Sequence, residues 1–219
     1  MPLLKKMAMK SLEKNTWAEG LTSMAGYREN EYLLVLAPPP ELSSRIQVVR
    51  DEFAEKLNVD HARRGRPQVP LASFTQYEMM EERILGRLRT IAMGFPPFKV
   101  ELKDFASFPT HTIYIQVASK VAIQSLVRDI RSNCQRLMKL NDDHKPLFIM
   151  EPHITIARKL QPWQYEKGWL EYEHRHFTGR FIASSMVLLR KQQGEARFRV
   201  VEKMEFQNLP VVTKQGELF

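Results

Sequence analysis

The chain has 219 residues, 43% hydrophobic and 26% charged, enough for one large domain or two small lobes around a real core. No apolar run approaches the roughly 18 residues of a membrane span, residues 1–14 lack the apolar stretch and cleavage site of a secretory signal, and the single cysteine, Cys134, excludes an internal disulfide. A net charge of +8 and a pI near 9.6 suit an anionic partner such as RNA, a nucleotide or another phosphate ester.

Residues 1–30 mix Leu and Met with lysines and then turn polar, which suggests an N-terminal arm or helix. The core starts at Tyr32-Leu33-Leu34-Val35-Leu36, a continuous apolar run of a buried strand, stopped by Pro38-Pro39-Pro40. Leu42, Ile46, Val49, Phe53 and Leu57 follow at spacings of three and four, one face of a helix. Arg66 to Phe74 predicts a strand, and Met79-Met80, Ile84, Leu88 and Ile91 a second helix. Phe98-Lys99-Val100-Glu101-Leu102 alternates strictly, as a half-exposed strand does. The order β-α-β-α-β then recurs. Thr112 to Val117 is a strand, Val121, Leu126, Ile130 and Leu137 mark a helix, and Phe148 to Ala157 is a strand. Trp163 to Tyr172 is a short helix, and Phe181 to Arg190 and Arg197 to Phe206 are strands.

The two halves stand in near-constant register. Tyr32 and Tyr114 are 82 positions apart, Gln68 and His153 are 85, and Val100 and Val187 are 87. This spacing indicates a duplication, with a first lobe over residues 31–108, a second over 109–210 and a tail at 211–219. It is too long a period, with too few copies, for a solenoid.

The chemistry concentrates in Glu151-Pro152-His153-Ile154-Thr155-Ile156-Ala157. In a strand, His153 and Thr155 share one face while Ile154 and Ile156 fill the core behind it. An imidazole beside a hydroxyl suits a phosphate ester: the histidine moves a proton near neutral pH, and the threonine hydrogen-bonds a non-bridging oxygen. The first half carries the same pattern with the chemistry removed, Pro67-Gln68-Val69-Pro70-Leu71-Ala72.

The Pro-His-Ile-Thr-Ile motif, in the second half of a duplicated β-α-β-α-β chain, resembles the two-histidine (2H) phosphoesterase superfamily of 2′-5′ RNA ligases and cyclic nucleotide phosphodiesterases. The resemblance spans about residues 31–206 and includes the junction from Phe98–Phe108 into Thr112–Val117. It implies an α+β, bilobal fold with mainly antiparallel sheets and pseudo-twofold symmetry around a central cleft. It also implies one His-x-Thr/Ser motif from each lobe, one histidine as base and one as acid, and no metal or other cofactor. The implied partners are RNA ends or nucleotide phosphodiesters. The single cysteine fits a reducing cytoplasm best, the lack of an apolar span leaves no membrane contact expected, and a monomer is expected.

Only His153 and Thr155 carry that motif over as catalytic candidates. Gln68 can donate and accept hydrogen bonds but cannot shuttle a proton, and Pro70 has neither hydroxyl nor N–H. Three outcomes stand open: Gln68 binds phosphate while His153 works alone, another histidine such as His61 substitutes, or the cleft only binds. Arg66 leads into Gln68 and would share a face with it and with Arg64 if the chain is extended, placing guanidinium groups for phosphate contact. Arg197 and Arg199 share a strand face and are candidates for substrate contact, as is Tyr114, which could stack on a base. His111 has the wrong parity to pair with Thr112 as a motif.

Overall fold

The computed structural model describes residues 26–210. Most of the expected arm at 1–30 and the tail at 211–219 therefore lie outside the described residues. The apolar run at Tyr32 forms β1 (Glu29–Leu36), and Pro40 opens α1 (Pro40–Leu57), a position where the missing proline N–H costs nothing. A 3-10 turn at Asp60–Arg63 leads to β2 (Val69–Tyr77). Then come α2 (Glu81–Gly94), β3 (Phe98–Phe108), β4 (Thr112–Val117), α3 (Lys120–Met138), β5 (Leu147–Phe148), β6 (His153–Arg158), α4 (Pro162–Tyr172), β7 (Thr178–Ala183), β8 (Ser185–Gln192) and β9 (Arg199–Glu205). Among the described residues no helix is long and apolar enough to cross a membrane.

The strands form two antiparallel sheets in the orders β5-β2-β1-β8-β9 and β6-β4-β3-β7. The sheets cut across the lobe boundary expected at 108/109. β3, from the first half, joins the second sheet, while β5, β8 and β9, from the second half, join the first. Helices cross over as well: α1 and α4 pack on the second sheet, α2 and α3 on the first. Each half thus buries its apolar surface against the other. The close approach of α4 to α1 needs Gly168, where a Cβ would stand 2.9 Å from the Phe53 ring.

Two strands expected as single runs are divided. Phe148 to Ala157 splits into β5 and β6 because the chain passes from one sheet to the other through residues 149–152. Phe181 to Arg190 splits into β7 and β8 at Ser184 for the same reason. Through the first crossing the inward positions keep one parity, from Phe148 and Met150 to Pro152 and Ile154, whereas at Ser184 they switch from Phe181 and Ala183 to Met186 and Leu188.

The pseudo-twofold symmetry is visible in the registers. In the first sheet Val35 pairs with Pro70 and Leu34 with Ala72, so Leu71 is passed over. In the second, Tyr114 pairs with Thr155 and Ile113 with Ala157, so Ile156 is passed over. Overlaying the two matches Gln68 with His153 and Pro70 with Thr155, as the 85-residue offset expects. The other two offsets need correction. Val35, not Tyr32, matches Tyr114, and Ala106, not Val100, matches Val187. From residue 66 to 72 and from 151 to 157 the burial pattern is the same residue for residue.

Candidate functional site

The side chains of β6 alternate as the motif requires. Ile154 and Ile156 are buried against α1, and His153 and Thr155 are half-buried on the face that carries no described helix. The register puts Gln116 opposite His153 and Tyr114 opposite Thr155. Ala106 pairs with Tyr114 and Phe108 with Thr112 on the adjoining strand. The result is a wall with three touching rings. Phe108 and Tyr114 have centroids 4.5 Å apart, and His153 sits edge-on to Phe108 at 5.2 Å and tilted to Tyr114 at 4.9 Å.

His153 Nδ1 lies 2.7 Å from the backbone oxygen of Glu151. A carbonyl only accepts, so Nδ1 carries the hydrogen, and the neutral ring keeps its lone pair on Nε2. Burial pushes the His153 pKa below the ordinary histidine value, outweighing the opposing pull of the Glu151 carbonyl and carboxylate. At neutral pH the ring is therefore a proton acceptor. The Glu151 carboxylate is held by Lys120 Nζ at 2.7 Å, and burial raises the Tyr114 phenol above its usual range.

The strand is anchored from behind by a buried arginine that the sequence reading missed. Arg50 donates from Nε and from its terminal nitrogen to the Thr155 carbonyl, at 2.9 and 2.6 Å, and from its other nitrogen to the Gly65 carbonyl at 3.2 Å. It ties the outer edge of β6 to the loop just ahead of Gln68. Burial brings the guanidinium pKa down to about 10, which still leaves it charged at neutral pH. A signal was available: Arg50 stands four after Ile46 and three before Phe53, inside the apolar stripe of α1. Phe108 was also legible, because the β3–β4 hairpin places it on the Tyr114 face.

The opposite wall, from the first sheet, has the same plan with apolar residues. Gln68 and Pro70 occupy the His153 and Thr155 positions, Val35 that of Tyr114, and Leu189 that of Phe108. Arg66 is exposed and matches Glu151. Gly65, at φ +78°, breaks the extended run, so Arg64 does not continue a β2 face with Arg66 and Gln68. Arg199 pairs in register with Arg190, whose guanidinium meets Glu78 and Glu81 on the helix side. Arg199 thus lies on the side away from the groove and binds Glu195 at 2.6 Å. Arg197 is exposed in the turn before β9, at the edge three strands from β2, about 14 Å across the sheet. The structure gathers His153, Thr155 and Tyr114, and it leaves Arg197 and Arg199 apart from them. His61 Nε2 lies 2.6 Å from the Arg158 carbonyl, at the far end of β6 from His153. Among the described residues no three His, Cys, Asp or Glu side chains converge on one point as metal ligands.

The family model of the 2′-5′ RNA ligase superfamily matches residues 38–195, which hold both the Gln68 and the His153 strands. This chain belongs to the 2′-5′ RNA ligase superfamily. A Geobacillus kaustophilus protein named for an inferred phosphoesterase activity is 28% identical over 152 residues, covering 67% of this chain and 81% of that protein. Among solved structures, Escherichia coli LigT complexed with 3′-AMP aligns with a TM-score of 0.56 at 16% identity, over 82% of this chain and 98% of LigT. The TT0787 protein of Thermus thermophilus aligns at 0.54 and 17%, over 81% and 98%. At these identities the likeness is one of fold. As a superfamily member, the chain has a duplicated α+β architecture in which one half keeps a His-x-Thr pair and the other carries Gln-x-Pro.

Proposed function

We propose that this chain acts on phosphodiesters of nucleotides or RNA ends, such as 2′,3′-cyclic phosphates, with His153 as its single proton-transfer group. The carrying observation is the neutral His153 ring, its Nδ1–H committed to the Glu151 carbonyl and its Nε2 lone pair uncommitted, on the strand face that Thr155 shares. In this reading Nε2 takes the proton of an attacking water or hydroxyl, and the Thr155 hydroxyl donates to a non-bridging phosphate oxygen. The amide of Gln68 donates a hydrogen bond from the other wall but gives up no proton. The P–O bond therefore breaks with the leaving oxygen protonated by solvent. Lacking that acid costs on the order of 10²–10⁴ in rate, so turnover is slow by the standard of a two-histidine site. The +8 charge suits the anionic substrate. A cytoplasmic monomer goes with this reading, since a reducing compartment keeps the buried Cys134 thiol free.

A second reading, a non-catalytic nucleotide- or RNA-binding module, draws on Pro70, Val35 and Leu189, which strip the first-sheet wall of proton donors. One experiment separates the two. Wild type and His153→Ala are assayed on a panel of 2′,3′-cyclic nucleotides and 2′-5′-linked dinucleotides. Turnover lost in the variant supports the enzyme. Absence of turnover in both, with salt-sensitive nucleotide binding, supports the module.

A further inference from the structure

A second feature lies outside the groove. Arg131 and Gln135 of α3, Lys139 just past its end, Lys145 and Pro146 ahead of β5 and Phe148 within it line a depression of about 430 Å³. Arg131 and Lys145 are exposed and, among the described residues, pair with no carboxylate; Lys139 is held by Asp142 at 2.5 Å. The depression continues as a stripe. Gln124, Arg128, Arg131 and Gln135 fall on one face of α3 at spacings of three and four, with Lys139 following just past its end, and they border the buried Ile123, Val127, Cys134 and Met138.

That stripe leads toward the candidate active site. α3 runs beside the segment from 144 to 151: the Leu140 N–H bonds the His144 carbonyl at one end. At the other, Gln124 donates to the Met150 carbonyl at 3.0 Å and Lys120 holds Glu151, whose carbonyl fixes the His153 ring. From Gln135 to Gln124 the stripe covers about 16 Å of helix, the reach of a few nucleotides. It presents the guanidinium groups of Arg128 and Arg131, with Asp129 on the neighbouring face and Asp142 holding Lys139 at its end.

We propose that the α3 stripe and its depression bind the phosphodiester backbone of a single-stranded polynucleotide whose end lies at His153 and Thr155. This rests on the reading above for the location of the reacting end. Cations spaced along a strand recognise phosphates without regard to base, and such contacts set affinity and salt dependence rather than chemistry. The surface therefore makes the protein prefer oligonucleotide ends to free mononucleotides.

The test uses the full chain and a fluorescein-labelled 12-mer RNA ending in a 2′,3′-cyclic phosphate, a DNA 12-mer, a cyclic mononucleotide and heparin. The variant is Arg131→Glu with Lys145→Glu, both surface positions, with folding checked by circular dichroism. Affinity for both 12-mers is expected to fall at least about tenfold at low salt. The slope of log K against log salt should flatten by about 1.4, the share of two phosphate contacts on a single strand. Mononucleotide binding and turnover should stay unchanged. Unchanged 12-mer affinity, an equal loss for the mononucleotide, or heparin binding that ignores both residues would overturn the proposal. Because this readout is binding, failure of catalysis in the His153→Ala comparison leaves it standing, and its own failure leaves that comparison intact.

Discussion

Restoring the missing arm is a demanding test of the pseudo-symmetry. The register aligns Gln68 with His153 and Pro70 with Thr155, and Pro67 already matches Pro152. In Gln68→His with Pro70→Thr, the Arg66 carbonyl stands where the Glu151 carbonyl holds Nδ1–H at 2.7 Å on the other wall. The new ring would lack the Phe108 and Tyr114 contacts, since Leu189 and Val35 stand there, so its pKa should stay nearer the ordinary value of about 6.5. That suits an acid which donates a proton to the leaving oxygen. General acid catalysis contributes roughly 10²–10⁴. With two ring contacts missing, the lower end is expected: about a 10²-fold gain, or about 2.7 kcal/mol of transition-state stabilisation. The assay is kcat/KM for 2′,3′-cyclic nucleotides by wild type, each single variant and the double variant. Pro70→Thr alone should change little. A folded double variant that binds nucleotide but shows no gain would refute the claim that the first-sheet wall is a degenerate copy of the second.

Three further outcomes follow from the same geometry. Without a general acid, turnover should favour leaving groups that depart unprotonated: aryl phosphodiesters should outpace alkyl ones by far more in wild type than in the double variant, and an equal ratio would count against a one-histidine site. Because burial lowers the folded pKa of His153, the unfolded chain takes up a proton first as pH falls through about 6.5. Stability should drop through that window until the folded ring protonates too, and denaturant titrations of His153→Gln should lose this acid sensitivity. Arg50→Ala leaves the Thr155 and Gly65 carbonyls without their donor. A loss of about 2–4 kcal/mol is expected in urea denaturation, with Arg50→Lys recovering part of it; a change under about 0.5 kcal/mol would show that the anchor contributes little.

Local chemistry was the legible part. Strand parity alone put His153 and Thr155 on one face and Ile154 and Ile156 on the other, and the 85-residue offset found the Gln68 strand. What escaped was long-range. Between Phe148 and Ala157 the inward parity is unbroken, so nothing announces the change of sheet, while between Phe181 and Arg190 the shift from Phe181 and Ala183 to Met186 and Leu188 marked a break that was read as one strand. The matching of Tyr32 with Tyr114 followed residue type, whereas pairing across the sheet assigns that place to Val35. Arg197 and Arg199 looked favourable as a charged pair, but the β8–β9 register gives the groove side to Val200 and turns Arg199 toward Arg190. Arg50 went unnoticed, although its position within the apolar stripe required a buried partner, which the Thr155 carbonyl supplies.

The central claim is a neutral imidazole at His153 poised to accept a proton from a group bound at a phosphodiester. The most direct measurement is ¹⁵N NMR of histidine-labelled protein at pH 7, assigned with His153→Gln, before and after addition of 3′-AMP. The account predicts one ring with Nδ1 protonated, Nε2 bare and a titration midpoint below that of a free histidine, whose Nε2 signal alone shifts strongly on nucleotide addition. A His153 ring that is charged at pH 7, or that ignores millimolar nucleotide while another histidine responds, would contradict it.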